Sequence, residues 1–388
     1  MRQLASIQKI IDIQPIKNYD RIEVATVLGW KVIVGKDDFK IGDLCVYIEA
    51  DSILPQVPEF EFLRKRCWSP KWNGFRIRNM KLGGIYSQGI VFSMSILSDE
   101  IMKNLRKKRN VKEDVEVTEE LGIIKYDPPE IAEVNIKKQI ANKPWIIRKF
   151  LRVKFIRNYF YPESIKYHFP DFLRKTDETR VQILPHILEQ YKGLKCYITE
   201  KLDGTSVTFA LKDEKFYVCS RNRWLKKANK KRNKYWRIAK EYHIEEILKS
   251  VGKDIAIQGE IIGPGIQGNK YQLDEPRFFM FNVFNIVSQK YYNFKDLIDF
   301  SYEYILPVIP LLDDNYNLPN NVDQILEDSK GTSLMCPKIP REGIVIRYLF
   351  DLQINTKGMP LNFFSFKAIN PDFDLKYGEE EEEYDDQS

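Results

Sequence analysis

The chain has 388 residues, 43% of them hydrophobic, with 61 lysines and arginines against 55 acidic residues and a formal net charge of +6. That length accommodates two or three domains with ordinary cores, and so small a charge excludes a histone-like polycation. Five scattered cysteines form no Cys-x-x-Cys pair and only three histidines are present, which argues against structural zinc and fits a reducing compartment. No apolar run nears the roughly 18 residues of a membrane span, and the opening Met-Arg-Gln-Leu-Ala carries no secretory pattern. An intracellular, monomeric protein without membrane partners is expected, with cytoplasm, nucleus and organelle matrix all open.

The first part of the chain reads as β. Alternating runs at Ile22–Val27, 30–34, Leu44–Ile48, 74–78 and 88–92 are punctuated by Gly and Asp turns, which predicts a small five-stranded barrel of the oligonucleotide-binding (OB) fold. Arg64, Lys65, Arg66, Trp68, Lys71, Trp72, Arg76 and Arg78 interleave charge with aromatics. Two readings of them stay open: a nucleic-acid surface, or tryptophans that complete the barrel's core.

A helical, basic stretch follows from about residue 102, and Pro128-Pro129 marks a boundary. Residues 128–166 read as a basic and apolar linker. Beyond it strands are expected at 195–199, 205–211, 216–219, Ile255–Ile262, 278–286, Gly343–Tyr348 and 362–367, with helices near 232–249 and 294–300. There is no internal repeat, and the acidic tail 378–388 reads as disordered. The mixture is an α+β chain.

The chemistry centres on Thr199-Glu-Lys-Leu-Asp-Gly204. Lys-x-Asp-Gly by itself is weak, since a chain this long contains it by chance about one time in ten. Its company is stronger. Ser220-Arg-Asn222 ends one strand, Gln258-Gly-Glu260 lies on another that runs into a glycine-rich turn, and Phe278-Phe-Met-Phe-Asn282 supplies aromatics able to stack on a base. Arg341-Glu-Gly343 opens a further strand, and Phe364-Ser-Phe-Lys-Ala-Ile-Asn370 carries a lysine near a strand end. A strand-end lysine that is desolvated and crowded by cations would fall below its usual pKa of about 10.4 and attack as a free amine.

In this order the six elements resemble motifs I, Ia, III, IIIa, IV and V of the covalent nucleotidyltransferases. With a barrel ahead of them the chain resembles the Naegleria/Deinococcus type of 3'-OH, 5'-phosphate RNA ligase. Thr176-Asp-Glu-Thr-Arg-Val-Gln182, Asp20-Arg-Ile-Glu-Val-Ala25 and Gly42-Asp-Leu-Cys-Val-Tyr47 add to that likeness. It implies an OB-fold nucleic-acid-binding domain at 1–127, the linker, and an adenylyltransferase domain at 167–377 with ATP-grasp-like antiparallel sheets plus helices. It also implies ATP as substrate, Mg2+ or Mn2+ as cofactor, and nicked or broken RNA as partner.

The same resemblance assigns roles. Lys201 takes AMP, Glu342 serves the metal, and Lys367 meets the α-phosphate. Glu260 binds ribose or orders metal-bound water, and Asp203 helps the metal or caps its turn. Phe281 stacks on adenine, with Thr199 and Glu200 flanking the pocket. Arg180 meets a phosphate, while Arg221, Asn222 and Arg223 reach ribose or the nucleic-acid strand. Lys376 is a second phosphate contact or a surface lysine. Asn282 departs from the family, where Asp often follows the stacking Phe, and residues 221–237 are unusually basic. Competing readings are a DNA ligase or a capping guanylyltransferase, each normally carrying a barrel after motif V, and a non-catalytic RNA-binding protein on a decayed scaffold.

Overall fold

Apolar and polar side chains alternate through residues 4–48 at the two-residue period of a strand. The computed structural model, which describes residues 3–108, 111–126, 140–153, 156, 167–227, 233–350 and 363–377, folds them into antiparallel strands β1 (Ala5–Pro15), β2 (Ile22–Val27), β3 (Trp30–Gly35) and β4 (Leu44–Ile48). After β5 (Ser52–Pro55) and β6 (Gly74–Arg76), β7 (Ile90–Ser93) joins them in the order β7-β4-β1-β2-β3. The Gln88 N–H donates to the Lys31 carbonyl at 2.8 Å, bringing the chain ahead of β7 back to β3. β4 is buried on both faces, which is why its run is continuously apolar. Cys45 and Tyr47 pack with Trp30 and Val32 on one side, while Val46 and Ile48 join Leu54, Phe60 and Phe75 on the other.

One expectation changes here, and one open choice narrows. The run at 74–78 is no barrel strand, because β6 pairs with β5 in a separate small sheet; β1 takes the central place. The basic and aromatic stretch is also largely structural. Arg64 stacks over Trp68 at 4.2 Å, Trp68 packs edge-on to Phe75, and Arg76, only 3% exposed, lies 3.5 Å over the Tyr126 ring. Lys65, Arg66 and Lys71 stay exposed.

The chain divides into two compact units, Met1–Pro128 with Val181–His186 and Asp374–Glu379, and Pro129–Arg180 with Ile187–Phe373 and Glu380–Ser388. Of the linker expected at 128–166 only 140–153 and 156 are described, with Trp145–Leu151 helical. The acidic tail and residues 228–232 of the basic run lie outside the described residues.

The second unit holds two sheets. The smaller runs β8 (Thr179–Arg180), β16 (Ser365–Ile369), β15 (Gly343–Tyr348), β9 (Lys195–Lys201), β14 (Leu311–Asn317) in spatial order. The larger centres on β11 (Lys215–Ser220), β10 (Thr205–Lys212), β12 (Ile255–Ile262) and β13 (Arg277–Asn285). The helix expected at 232–249 is two, α1 (Lys234–Glu241) and α2 (Ile244–Val251), broken where His243 turns left-handed at φ 51°. Asn233 caps the first, its Oδ1 accepting from the Tyr235 and Trp236 N–H groups. Trp236, Ile238, Ile244 and Leu248 pack on Phe209, Ile257 and Phe278 of the larger sheet, each full burial contributing about 1.5–3 kcal/mol. Helices close that face, and strand alternation sends Glu260 to the opposite one. Among the described residues no helix is long and apolar enough to cross a membrane.

Candidate active site

Register in the smaller sheet sets the site's base. Arg180 lies beside Lys367 across the parallel β8/β16 pair, Lys367 beside Val345, and Val345 beside Thr199. Residues paired across strands share a face, so two cations and the Thr199 hydroxyl stand in one row. Two residues further along, the next row holds Lys201, Gly343 and Ile369. Glu200 falls on the other face, wholly buried, with Oε2 accepting from the Leu334 N–H at 2.8 Å. Thr199 and Glu200 therefore do not face the same space.

Gly343 lets this sheet close. A Cβ there would sit 2.2 Å from the Ala368 carbonyl oxygen and 3.0 Å from the Ile369 Cα. Gly343→Ala must push β15 from β16, and we expect a loss of about 1–3 kcal/mol, read as a thermal midpoint lowered by roughly 2–4 °C per kcal/mol. An unchanged midpoint would contradict the packing. The residue before it, Glu342, is held by Asn370, whose N–H donates to the Glu342 carbonyl at 2.9 Å and whose Nδ2 donates to the Arg341 carbonyl at 2.9 Å.

Lys201 reaches the end of β9 with its side chain 23% exposed, and its ammonium pairs with Glu342 Oε1. Glu260 on β12 and Asp203 also act on it. Burial pulls the Lys201 pKa down, but Glu342, Glu260 and Asp203 outweigh burial and hold it above the ordinary lysine value. This corrects the expectation of cation crowding, because here the neighbours are carboxylates. Burial pushes Glu260 up to about 8 against the pull of Lys201, with Glu342 and Asp203 adding to the rise. Burial likewise raises Glu342, opposed by Lys201 and reinforced by Asp203.

Phe281 sits at a β-bulge. Gln258 pairs with Asn282 and Gly259 with Met280, leaving Phe281 as the extra residue. A bulge re-aims side chains, and Phe279 and Phe281 both pack with Leu202 and Tyr271 while Phe278 and Met280 join the helix-side core. Gly259 permits it, since a Cβ would lie 2.2 Å from Phe278. Asn282 is 6% exposed and donates to Gln258 Oε1 at 3.2 Å, so it packs in the sheet interior.

The remaining site residues divide. Arg221 pairs with Asp177 at 2.6 Å, and Asn222 Oδ1 accepts from Lys175 at 3.4 Å, both partly exposed. Arg223 is 4% exposed, set opposite His168 within the larger sheet. Lys376 belongs to the first unit, its ammonium 5.1 Å from the Tyr377 ring centroid. Sequence reasoning passed over Arg347 and Glu178. Arg347 is 3% exposed, pairs with Glu178 at 3.0 Å, donates to Ser365 Oγ at 3.1 Å and lies 5.6 Å from the Phe281 ring. Glu178 lies in the quoted Thr176–Gln182 stretch and Arg347 in the expected strand Gly343–Tyr348, but only the fold joins them.

The sequence matches an OB-fold domain model over residues 4–94 and an RNA ligase model over residues 194–368. Barrel and site together define the class, an RNA ligase with an N-terminal OB-fold domain, as the α+β expectation held. Among solved structures, Naegleria gruberi RNA ligase with PPi is 30% identical with a TM-score of 0.78, covering 98% of this chain and 100% of that one. An apo mutant of that enzyme is 29% identical with a TM-score of 0.79, covering 97% and 99%. A mutant with ATP and Mn is 29% identical with a TM-score of 0.77, covering 99% of each chain. Curated proteins yield no match. At that identity and coverage the chain belongs to the RNA ligase family of the Naegleria gruberi type.

Proposed function

We propose that this chain uses ATP and a divalent metal to seal 3'-OH and 5'-phosphate RNA ends through a covalent lysyl-AMP on Lys201. The observation that carries the reading is the pairing of Lys201 with Glu342 one row from the side-by-side Arg180 and Lys367. Such an arrangement suits attack at phosphorus, where charge develops on oxygens that cations can meet. The Lys201 amine attacks the α-phosphorus, an N–P bond forms, and the bond to pyrophosphate breaks. A 5'-phosphate oxygen then displaces the lysine, and a 3'-OH displaces AMP. Before the first step Lys201 must lose a proton, and Glu342 already touches that ammonium.

Nucleotide and metal fit the residues present. Thr199 Oγ1, on the Lys201 face, and Glu342 Oε2 are buried without a hydrogen-bond partner among the described residues. Phe281, with the Arg347 guanidinium 5.6 Å from its ring centroid, offers an aromatic surface suited to a base. Glu260 and Glu342 are hard oxygen donors of the kind Mg2+ and Mn2+ prefer. Among the described residues no three acidic, His or Cys side chains form a ready cluster, so a cation would complete its shell with water or phosphate oxygens. When bound, it would neutralise phosphate charge and compete with Lys201 for carboxylate. Naegleria gruberi RNA ligase mutants solved with ATP and Mn or AMP and Mn support both ligands. Five free, buried cysteines support an intracellular setting, and we take the chain to act as a monomer.

A panel of nicked duplexes tests the substrate. A nick with RNA on the 3'-OH side should seal at least about ten times faster than an all-DNA nick, a discrimination within reach of a polar 2'-OH contact. Equal sealing would sink the RNA end-joining assignment, and labelling by GTP in place of ATP would move the chemistry to capping.

A further inference from the structure

The turn after Glu260 carries a run of positive-φ backbone. Gly263, Gly265 and Gly268 have φ of 125°, 69° and 67°, and three residues with side chains share the left-handed region, Gln267 at 42°, Asn269 at 52° and Gln272 at 55°. Glycine takes such conformations freely, but residues with side chains keep them only where the surroundings hold them. Here the holding groups are plain. Lys234 Nζ donates to the carbonyls of Pro264 at 2.8 Å and Gly265 at 2.7 Å. The Asn269 side chain donates to the Leu273 carbonyl at 2.9 Å and accepts from the Leu273 N–H at 3.1 Å.

What this strained turn delivers is Lys270 and Tyr271, set against the loop that follows the nucleophile. Lys270 Nζ pairs with Asp203 Oδ2 at 2.5 Å, and both side chains are 10% exposed. The Asp203 N–H donates to Tyr271 Oη at 2.7 Å, and Tyr271 is itself buried beside Leu202 and Phe281. Both the side chain and the backbone of Asp203 are thus gripped from one turn. An exposed ion pair would contribute little, but one at this depth leaves a stranded charge if broken. Asp203 already acts electrostatically on both Lys201 and Glu342. Released from Lys270, its carboxylate would compete with Glu342 for the Lys201 ammonium.

We infer that Lys270 is a positioning residue for adenylyl transfer, the counter-ion that keeps Asp203 turned away from Lys201 and fixes the direction in which the nucleophile points. This rests on the reading of Lys201 as the AMP acceptor. Lys270 acts on the nucleophile through its pairing with Asp203.

The test follows formation of the covalent AMP adduct in single turnover with Mn2+, across a double-variant cycle of Lys270→Met and Asp203→Asn. Lys270→Met should slow the step by about tenfold or more while the ATP concentration at half-maximal rate stays within about threefold, and Lys270→Arg should recover most of the rate. The double variant should be no slower than Asp203→Asn alone, because the two residues act as one unit. Losses that multiply in the double variant, or a wild-type rate in Lys270→Met, would overturn the inference. The cycle is repeated with Lys270→Gln so that a misfolded methionine variant, seen by circular dichroism, does not decide the outcome. A wild-type chain that takes no label would overturn the Lys201 assignment, and this inference with it; a labelling wild type with an indifferent Lys270 overturns this inference alone.

Discussion

Lys201→Ala should abolish the covalent AMP adduct, with a loss on the order of 10^4 or more in the rate of its formation. Arg347, Lys367 and Glu260 cannot substitute, since none presents an amine at the end of β9. The alanine variant also removes the partner of Glu342, leaving that carboxyl between the repulsion of Asp203 and the pull of Lys367, so a loss of activity could be blamed on rearrangement. Lys201→Arg separates the two causes. It keeps a cation beside Glu342 but offers no nucleophile at neutral pH. Both variants should fail to label, and both should still join a strand whose 5'-end already carries AMP, within roughly tenfold of the unmodified chain, because that last displacement needs the metal and phosphate groups and not the lysine. A labelled arginine variant, or total failure of both on the pre-activated strand together with a normal fold, would contradict the division of labour.

Much of this site is legible in the sequence because many of its residues lie on or beside strands whose limits the apolar pattern declares. Ile255–Ile262 and Gly343–Tyr348 match their expected bounds, and glycine turns fix where the chemistry-bearing ends fall. What escaped notice has physical reasons. In β1 the pattern slips between Ile10, which is buried, and Ile11, which is 50% exposed, because the pairing with β2 is irregular between Ile10 and Asp12. A strand containing a slip does not read as a strand at period two. β14 is an edge strand of sequence Leu-Leu-Asp-Asp-Asn-Tyr-Asn, mostly outside the core, and its composition mimics a loop. Lys270 and Asp203 are 67 residues apart, and nothing local announces their pairing. The sign of the Lys201 shift is the most instructive miss. Glu260, Glu342 and Asp203 were all legible as site residues, yet three carboxylates converging on one lysine raise its pKa, whatever the chemistry later requires.

That convergence leads to the second large effect. Glu260→Gln should raise the stability of the metal-free protein at alkaline pH while disabling adenylyl transfer. Burial, with Glu342 and Asp203 adding to it, lifts the folded-state pKa of Glu260 to about 8 despite Lys201, against about 4.3 in an unfolded chain. A carboxyl raised in this way favours folding only while protonated. Its contribution is complete below the unfolded value, falls as pH climbs between the two, and is gone above about 8, where folding must carry a buried anion among other anions. Glutamine keeps the neutral shape at every pH. The thermal midpoints of variant and wild type, measured in chelator, should therefore nearly coincide at pH 4 and separate progressively up to about pH 8, the variant higher. Each kcal/mol of difference would appear as roughly 2–4 °C in a domain of this size. Adenylyl transfer should fall in the same variant, because the carboxylate that burdens the fold is the one a metal-bearing nucleotide would find. Midpoints that run parallel from about pH 4 to 8 would show that Glu260 does not carry the charge conflict, and a stable variant that still forms the adduct at full rate would remove Glu260 from the reaction altogether.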